Sequence, residues 1–107
     1  MSPQDLISKL NSEYSVAVRA KLSAEDAVTA WSTWMIAPVE GYVEGQHFGP
    51  CPTREVEWLE VNPFVVEPVG RLVRPRMHNY EQQIREALEA ESILFEALEL
   101  VFRVYLR

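Results

Sequence analysis

The sequence predicts an α+β domain with two N-terminal helices, a small antiparallel sheet of about three strands, and one long amphipathic C-terminal helix. Three observations carry that prediction. Six of the seven prolines and all four glycines fall between residues 38 and 75, which confines helix to the two ends of the chain. Ser2, Ser23 and Asn79 are each followed three residues later by Asp or Gln, a helix-start pattern ahead of an apolar stripe. From Asn79 to Arg107, apolar residues recur at helical spacing with no Gly or Pro among them.

The first helix starts where Ser2 accepts a hydrogen bond from the Asp5 amide and Pro3 takes the first helical position, at which a missing amide costs nothing. Leu6, Ile7, Leu10, Tyr14, Ala17 and Val18 continue its stripe, so helix is expected to about Lys21, with a break point available at Asn11-Ser12. The competing reading is a strand, because Tyr14, Val16, Val18, Ala20 and Leu22 also alternate; the lack of Gly or Pro favours helix. Ser23 and Asp26 open the second helix, whose stripe of Ala27, Ala30, Trp31, Trp34 and Met35 stops before Pro38.

The sheet lies in the proline- and glycine-rich middle. Residues 54–61 read as a strand in which Val56 and Trp58 share one face and Leu59 and Val61 the other, a phase slip that predicts a bulge or twist. Asn62-Pro63 turns the chain, and residues 64–67 and 70–74 follow as short strands that Pro63, Pro68 and Pro75 confine to edges or strand ends. The last helix, capped by Asn79 and Gln82, would be about 43 Å long at 1.5 Å per residue. A compact chain of this length has a radius of gyration near 13 Å and a diameter of roughly 34 Å, so the helix is expected to need a partner. A final strand over residues 98–106 is the second choice, since no Gly, Pro, Asn or Asp follows Tyr80 to end the helix.

The 107 residues are expected to form a single globular domain, and 48% apolar with 24% charged residues is ordinary globular composition. A formal charge of -6 opposes general affinity for nucleic acid or anionic membrane. One cysteine, Cys51, allows no intramolecular disulfide. With no signal-like N-terminus and no apolar run of membrane-spanning length, the expected location is the cytoplasm.

Four groups of residues carry candidate chemistry. His47, Cys51 and His78 are the soft metal ligands, but a lone His four residues before a lone Cys is a weak pattern, and no metal or cofactor is expected. The same pair has the elements of a nucleophile and base, yet no Asp or Asn stands near His47 to orient it. Arg71, Arg74 and Arg76 concentrate positive charge and are read first as an offset to the glutamates of the helix that follows; the second reading is an anion site with Arg74 and Arg76 as a forked donor pair. Trp31, Trp34 and Met35 on the second helix, with Trp58 on the strand, read as core side chains, since that helix has no basic residues between the rings for base stacking.

No motif names a reaction or a catalytic residue. The leading expectation is a small cytoplasmic interaction or regulatory protein without catalysis, acting as a homodimer or on another protein. Its interface would be Leu88, Phe95, Leu98, Phe102 and Tyr105 on the final helix. The alternative is a small-molecule-binding domain or thiol-dependent enzyme built on the His47/Cys51 loop.

Overall fold

A computed structural model describes residues 1–106. The fold is α+β but mostly sheet, and the expected layout does not survive. The elements in chain order are α1 (Pro3–Tyr14), β1 (Ala17–Leu22), β2 (Met35–Ile36), β3 (Tyr42–Gly45), β4 (Phe48–Pro52), a 3₁₀ turn (Thr53–Glu55) and β5 (Val56–Asn62). They continue with β6 (Phe64–Glu67), β7 (Arg76–Asn79), α2 (Glu81–Ala90), β8 (Phe95–Ala97) and β9 (Phe102–Tyr105). The main sheet is antiparallel with order β1-β5-β9-β8; β2-β3-β4 form a second sheet and β6-β7 a two-stranded ribbon.

Helix α1 begins as its side chains predict, with the Asp5 amide donating to Ser2 Oγ at 3.2 Å and Pro3 just inside. It ends at Tyr14 rather than near Lys21. Ser15 adopts the left-handed conformation (φ 60°) and donates its amide to the Asn11 carbonyl, closing the helix without a glycine. Asn11 is buried and holds the chain that leaves: its Nδ2 donates to the carbonyls of Val16 and Thr33, and its Oδ1 accepts from the Met35 amide. The alternation of Val16, Val18 and Ala20 is therefore that of a strand with its apolar side in the core.

The second expected helix is absent. Residues 27–34 instead run along the open edge of β1, where the Thr29 amide donates to the Ala20 carbonyl and Val18 and Ser32 exchange both backbone bonds. Of the stripe expected to face the core, only Met35 is buried; Ala27, Ala30 and Trp34 are exposed. Pairing along the edge satisfies β1 backbone groups that a helix in this segment would leave unpaired.

Strand β5 matches the expected strand to within two residues and carries the expected bulge, but Val56 and Trp58 do not share a face: Val56 lies in the core with Leu59 and Val61, and Trp58 is on the other side. Lys21 pairs with Trp58 but Leu22 pairs with Val56, so Glu57 is the extra residue of a bulge. Val56, Leu59 and Val61 all then reach the core face. Residues 64–67 form a strand as expected, but 70–74 form a turn with one isolated bridge between Gly70 and Val73, and the partner strand starts after Pro75.

The long C-terminal helix is overturned as well: α2 stops at Ala90. Ser92 takes the left-handed conformation (φ 54°), its amide donates to the Glu89 carbonyl, and the Ile93 amide donates to the Leu88 carbonyl. This pair of bonds is a Schellman ending with serine where glycine is usual. The chain then forms β8 and β9: of the strand expected as second choice over residues 98–106, residues 102–105 are strand and 98–101 are a loop. At the start of α2 the Asn79 side chain accepts from the Glu81 amide, while the capping position itself is Tyr80. Leu6, Ile7 and Leu10 of α1 and Ile84 and Leu88 of α2 pack on the inner side of the main sheet, against Val18, Ala20, Leu59, Val61, Phe102 and Val104.

Candidate functional site

The inner side of the main sheet is apolar, so alternation sends the intervening residues of each strand to an outer side that no helix covers. In the central row of that side Arg19 lies opposite Glu60, Glu60 opposite Arg103, and Arg103 opposite Glu96. Glu60 is only 1% exposed, whereas the arginine side chains are 33% and 29% exposed. Each arginine clasps one carboxylate oxygen through Nε and Nη2, Arg19 at 2.8 and 2.7 Å on Oε1 and Arg103 at 2.9 Å twice on Oε2. Both lone-pair regions of the carboxylate are thus occupied, which is what permits an ion to be buried.

A tryptophan covers each guanidinium. Trp31, brought there by the edge segment, stacks on Arg19 with 4.3 Å between the guanidinium carbon and the ring centroid; Trp58, from β5 itself, stacks on Arg103 at 4.2 Å. The result is a rigid row, Trp31–Arg19–Glu60–Arg103–Trp58, with spare arginine donors: the Nη1 groups make no bond to Glu60. Burial by itself would lower the Arg103 pKa, but hydrogen bonds to Glu60 and Tyr105 outweigh it and hold it raised. Arg103 is a permanent cation in this row.

Tyr105 extends the row by donating its hydroxyl to Glu96. That bond, and secondarily desolvation, raise the Tyr105 pKa above its ordinary 10.0, with Arg103 pulling the other way. A raised pKa means that the stabilisation from this donor is complete below the unfolded value and is lost as pH rises through the folded one. Following the Tyr105 ring signals by NMR as pH is raised should therefore show it ionising above the ordinary 10.0, and Glu96→Ala should bring its ionisation down.

Beside Arg19 the outer side is concave. A cleft of about 670 Å³ is lined by Arg19, Trp31, Asn62, Phe64 and the 98–101 loop, and it combines apolar walls with a few polar groups as binding clefts do. Leu98 and Leu100 of that loop are 37% and 63% exposed.

The five residues expected at an interface divide between the two sides. Leu88 and Phe102 are buried in the core, and Phe95 is half-buried edge-on to Phe102 with ring centroids 5.8 Å apart. Leu98 lines the cleft and Tyr105 stands on the outer side. A helical seam of Leu88, Phe95 and Phe102 is not available, because β8 and β9 replace that part of the helix.

The His47/Cys51 pair is not assembled. Cys51 is buried on β4 opposite Val43, while His47 is exposed in the β3–β4 turn, its amide donating to Ser32 Oγ. Desolvation, then Glu55, raises the Cys51 pKa, the opposite of what a thiolate nucleophile needs. His78 sits elsewhere, on β7, bonded to Glu67 at 2.6 Å and stacked on Tyr80. Among the described residues no three His, Cys, Asp or Glu side chains are grouped to hold a metal ion.

Arg71, Arg74 and Arg76 lie on the ribbon formed by β6 and β7, Arg71 in its turn, Arg74 ahead of Pro75 and Arg76 on β7. All three are exposed, and among the described residues none has a carboxylate within 4.0 Å.

Arg19, Glu60 and Arg103 were not singled out by sequence reasoning. Each is a charge between two apolar neighbours, in Val18-Arg19-Ala20, Leu59-Glu60-Val61 and Phe102-Arg103-Val104. Three such triplets signal one shared polar sheet face once the strands are known to be neighbours.

A family model described as a family of unknown function, DUF6678, matches residues 4–106. The chain belongs to the DUF6678 family. No curated protein and no solved structure matches it. The DUF6678 match takes in α1 from its second residue, α2, every strand and the whole Trp–Arg–Glu–Arg–Trp row.

Proposed function

We propose that this chain is a cytoplasmic, non-catalytic interaction module that grips a segment of a partner protein on the outer side of its main sheet. The observation that carries the reading is the row itself: two guanidiniums, immobilised by a buried glutamate and two tryptophans, beside a cleft with exposed leucines. Trp, Tyr and Arg are the residues that dominate binding energy at protein interfaces, and here their rotamers are set before a partner arrives. A partner segment bearing an apolar side chain beside a carboxylate would fill the cleft and meet the free Nη1 donors of Arg19. Support for the cytoplasmic part is the single cysteine, together with the finding that no described helix is long and apolar enough to cross a membrane.

Panning a random peptide library on the immobilised chain tests this. Selected peptides should share an apolar residue next to Asp or Glu. They should bind Leu100→Asp at least about tenfold more weakly, a loss of about 1.4 kcal/mol, while circular dichroism shows that the variant is folded. A library without binders, or binders indifferent to Leu100→Asp, would refute the reading.

A further inference from the structure

The β6–β7 ribbon and its turn form an arm with the composition of an interface and no cover. Val66 lies directly opposite Met77, and both are exposed on one side of the ribbon, at 57% and 67%. The other side rests on the body through Val65 and through His78, which stacks on Tyr80. At the tip Leu72 is 100% exposed, with Val69 and Val73 exposed on either side of it. A two-stranded ribbon held to the body on one side only, and exposing five large apolar side chains, gains by being covered.

Charge indicates what covers it. Residues 64–79 hold three arginines against one glutamate, while the rest of the chain holds seven basic residues against fifteen acidic ones. The three arginines have no carboxylate partner within the described chain. Helix α2 starts at the base of the arm and turns Glu81, Glu86 and Glu89 outward along an open groove. If two arms lie side by side and antiparallel about a two-fold axis, each tip comes to the other's base.

We infer that two copies of this chain clasp through their arms, with the Val66/Met77 sides in contact and the tip arginines of each copy against α2 of the other. The pairing is reciprocal, so each copy supplies both the cationic tip and the acidic receptor. An anionic membrane or a nucleic acid would meet the same arginines but would be repelled by the acidic body behind them. This inference does not rest on the outer-side reading, and the surfaces involved are different.

Sedimentation equilibrium tests it through charge reversal. The unmodified chain should be a dimer whose dissociation constant rises with salt. Arg71→Glu with Arg74→Glu, and separately Glu86→Arg with Glu89→Arg, should each weaken the dimer by more than about tenfold with unchanged circular dichroism. An equimolar mixture of the two variants should restore the dimer, because both contacts in the mixed pair are again complementary. A monomer at every concentration, a dimer that survives both variants, or a mixture that stays monomeric would overturn the clasp. So would arm-dependent binding of the monomer to phosphatidylglycerol vesicles.

Discussion

Replacing Glu60 with alanine should lower the unfolding free energy by on the order of 3 kcal/mol, the lower end of what breaking a buried ion pair costs. The lower end applies because the arginines are about a third exposed and keep some hydration. Arg19 and Arg103 would be left as like charges across the central strand, each deprived of its forked acceptor. Replacing all three residues with apolar side chains of similar volume should be near neutral by comparison, since it removes the desolvation penalty with the attraction. Urea unfolding of both variants measures the contrast. A loss below about 1 kcal/mol for Glu60→Ala would mean that the row behaves as a surface ion pair.

The second large effect is expected in the part of the chain where a helix gives way to strands. Leu88→Ala should cost about 2–5 kcal/mol and Phe102→Ala about 3–5 kcal/mol, because both side chains are buried and their removal leaves cavities. Leu94→Ala and Leu100→Ala, at 70% and 63% exposed, should stay within about 0.5 kcal/mol. A continuous amphipathic helix would bury Leu94 on the same face as Phe102. Equal losses at Leu94 and Phe102 in thermal unfolding would therefore contradict the strand assignment.

What could be read from the residues was local. The Ser2/Asp5 cap, the proline- and glycine-rich middle, the strand around Val56–Asn62 with its bulge, and the start of a helix near Asn79 all follow from side chains within a few positions of one another. The errors share one physical cause, that each element's end or partner was set from a distance. Both helices end at a serine in the left-handed conformation, a position usually marked by glycine, and α1 is held at its end by Asn11 bonds to residues five and more positions away. The segment after Ser23 has caps and stripe enough for a helix, yet the open edge of β1 claims its backbone. The ends of the row Arg19–Glu60–Arg103 are 84 positions apart in sequence and three strands wide in space, so it is legible only after β1, β5 and β9 are neighbours. The arginines at 71, 74 and 76 were visible as a cluster, but that they find no glutamate in their own chain is a fact of the fold.

The central claim is that binding takes place on the outer side of the main sheet, and nitrogen–proton correlation NMR tests it most directly. Titration of the isotope-labelled chain with a selected peptide should shift the indole signals of Trp31 and Trp58, the Nε–H signals of Arg19 and Arg103, and the amides of residues 98–101, and leave the amides around Cys51 unmoved. Shifts confined to the surroundings of His47 and Cys51, with the Trp31 and Arg19 signals unchanged, would contradict it.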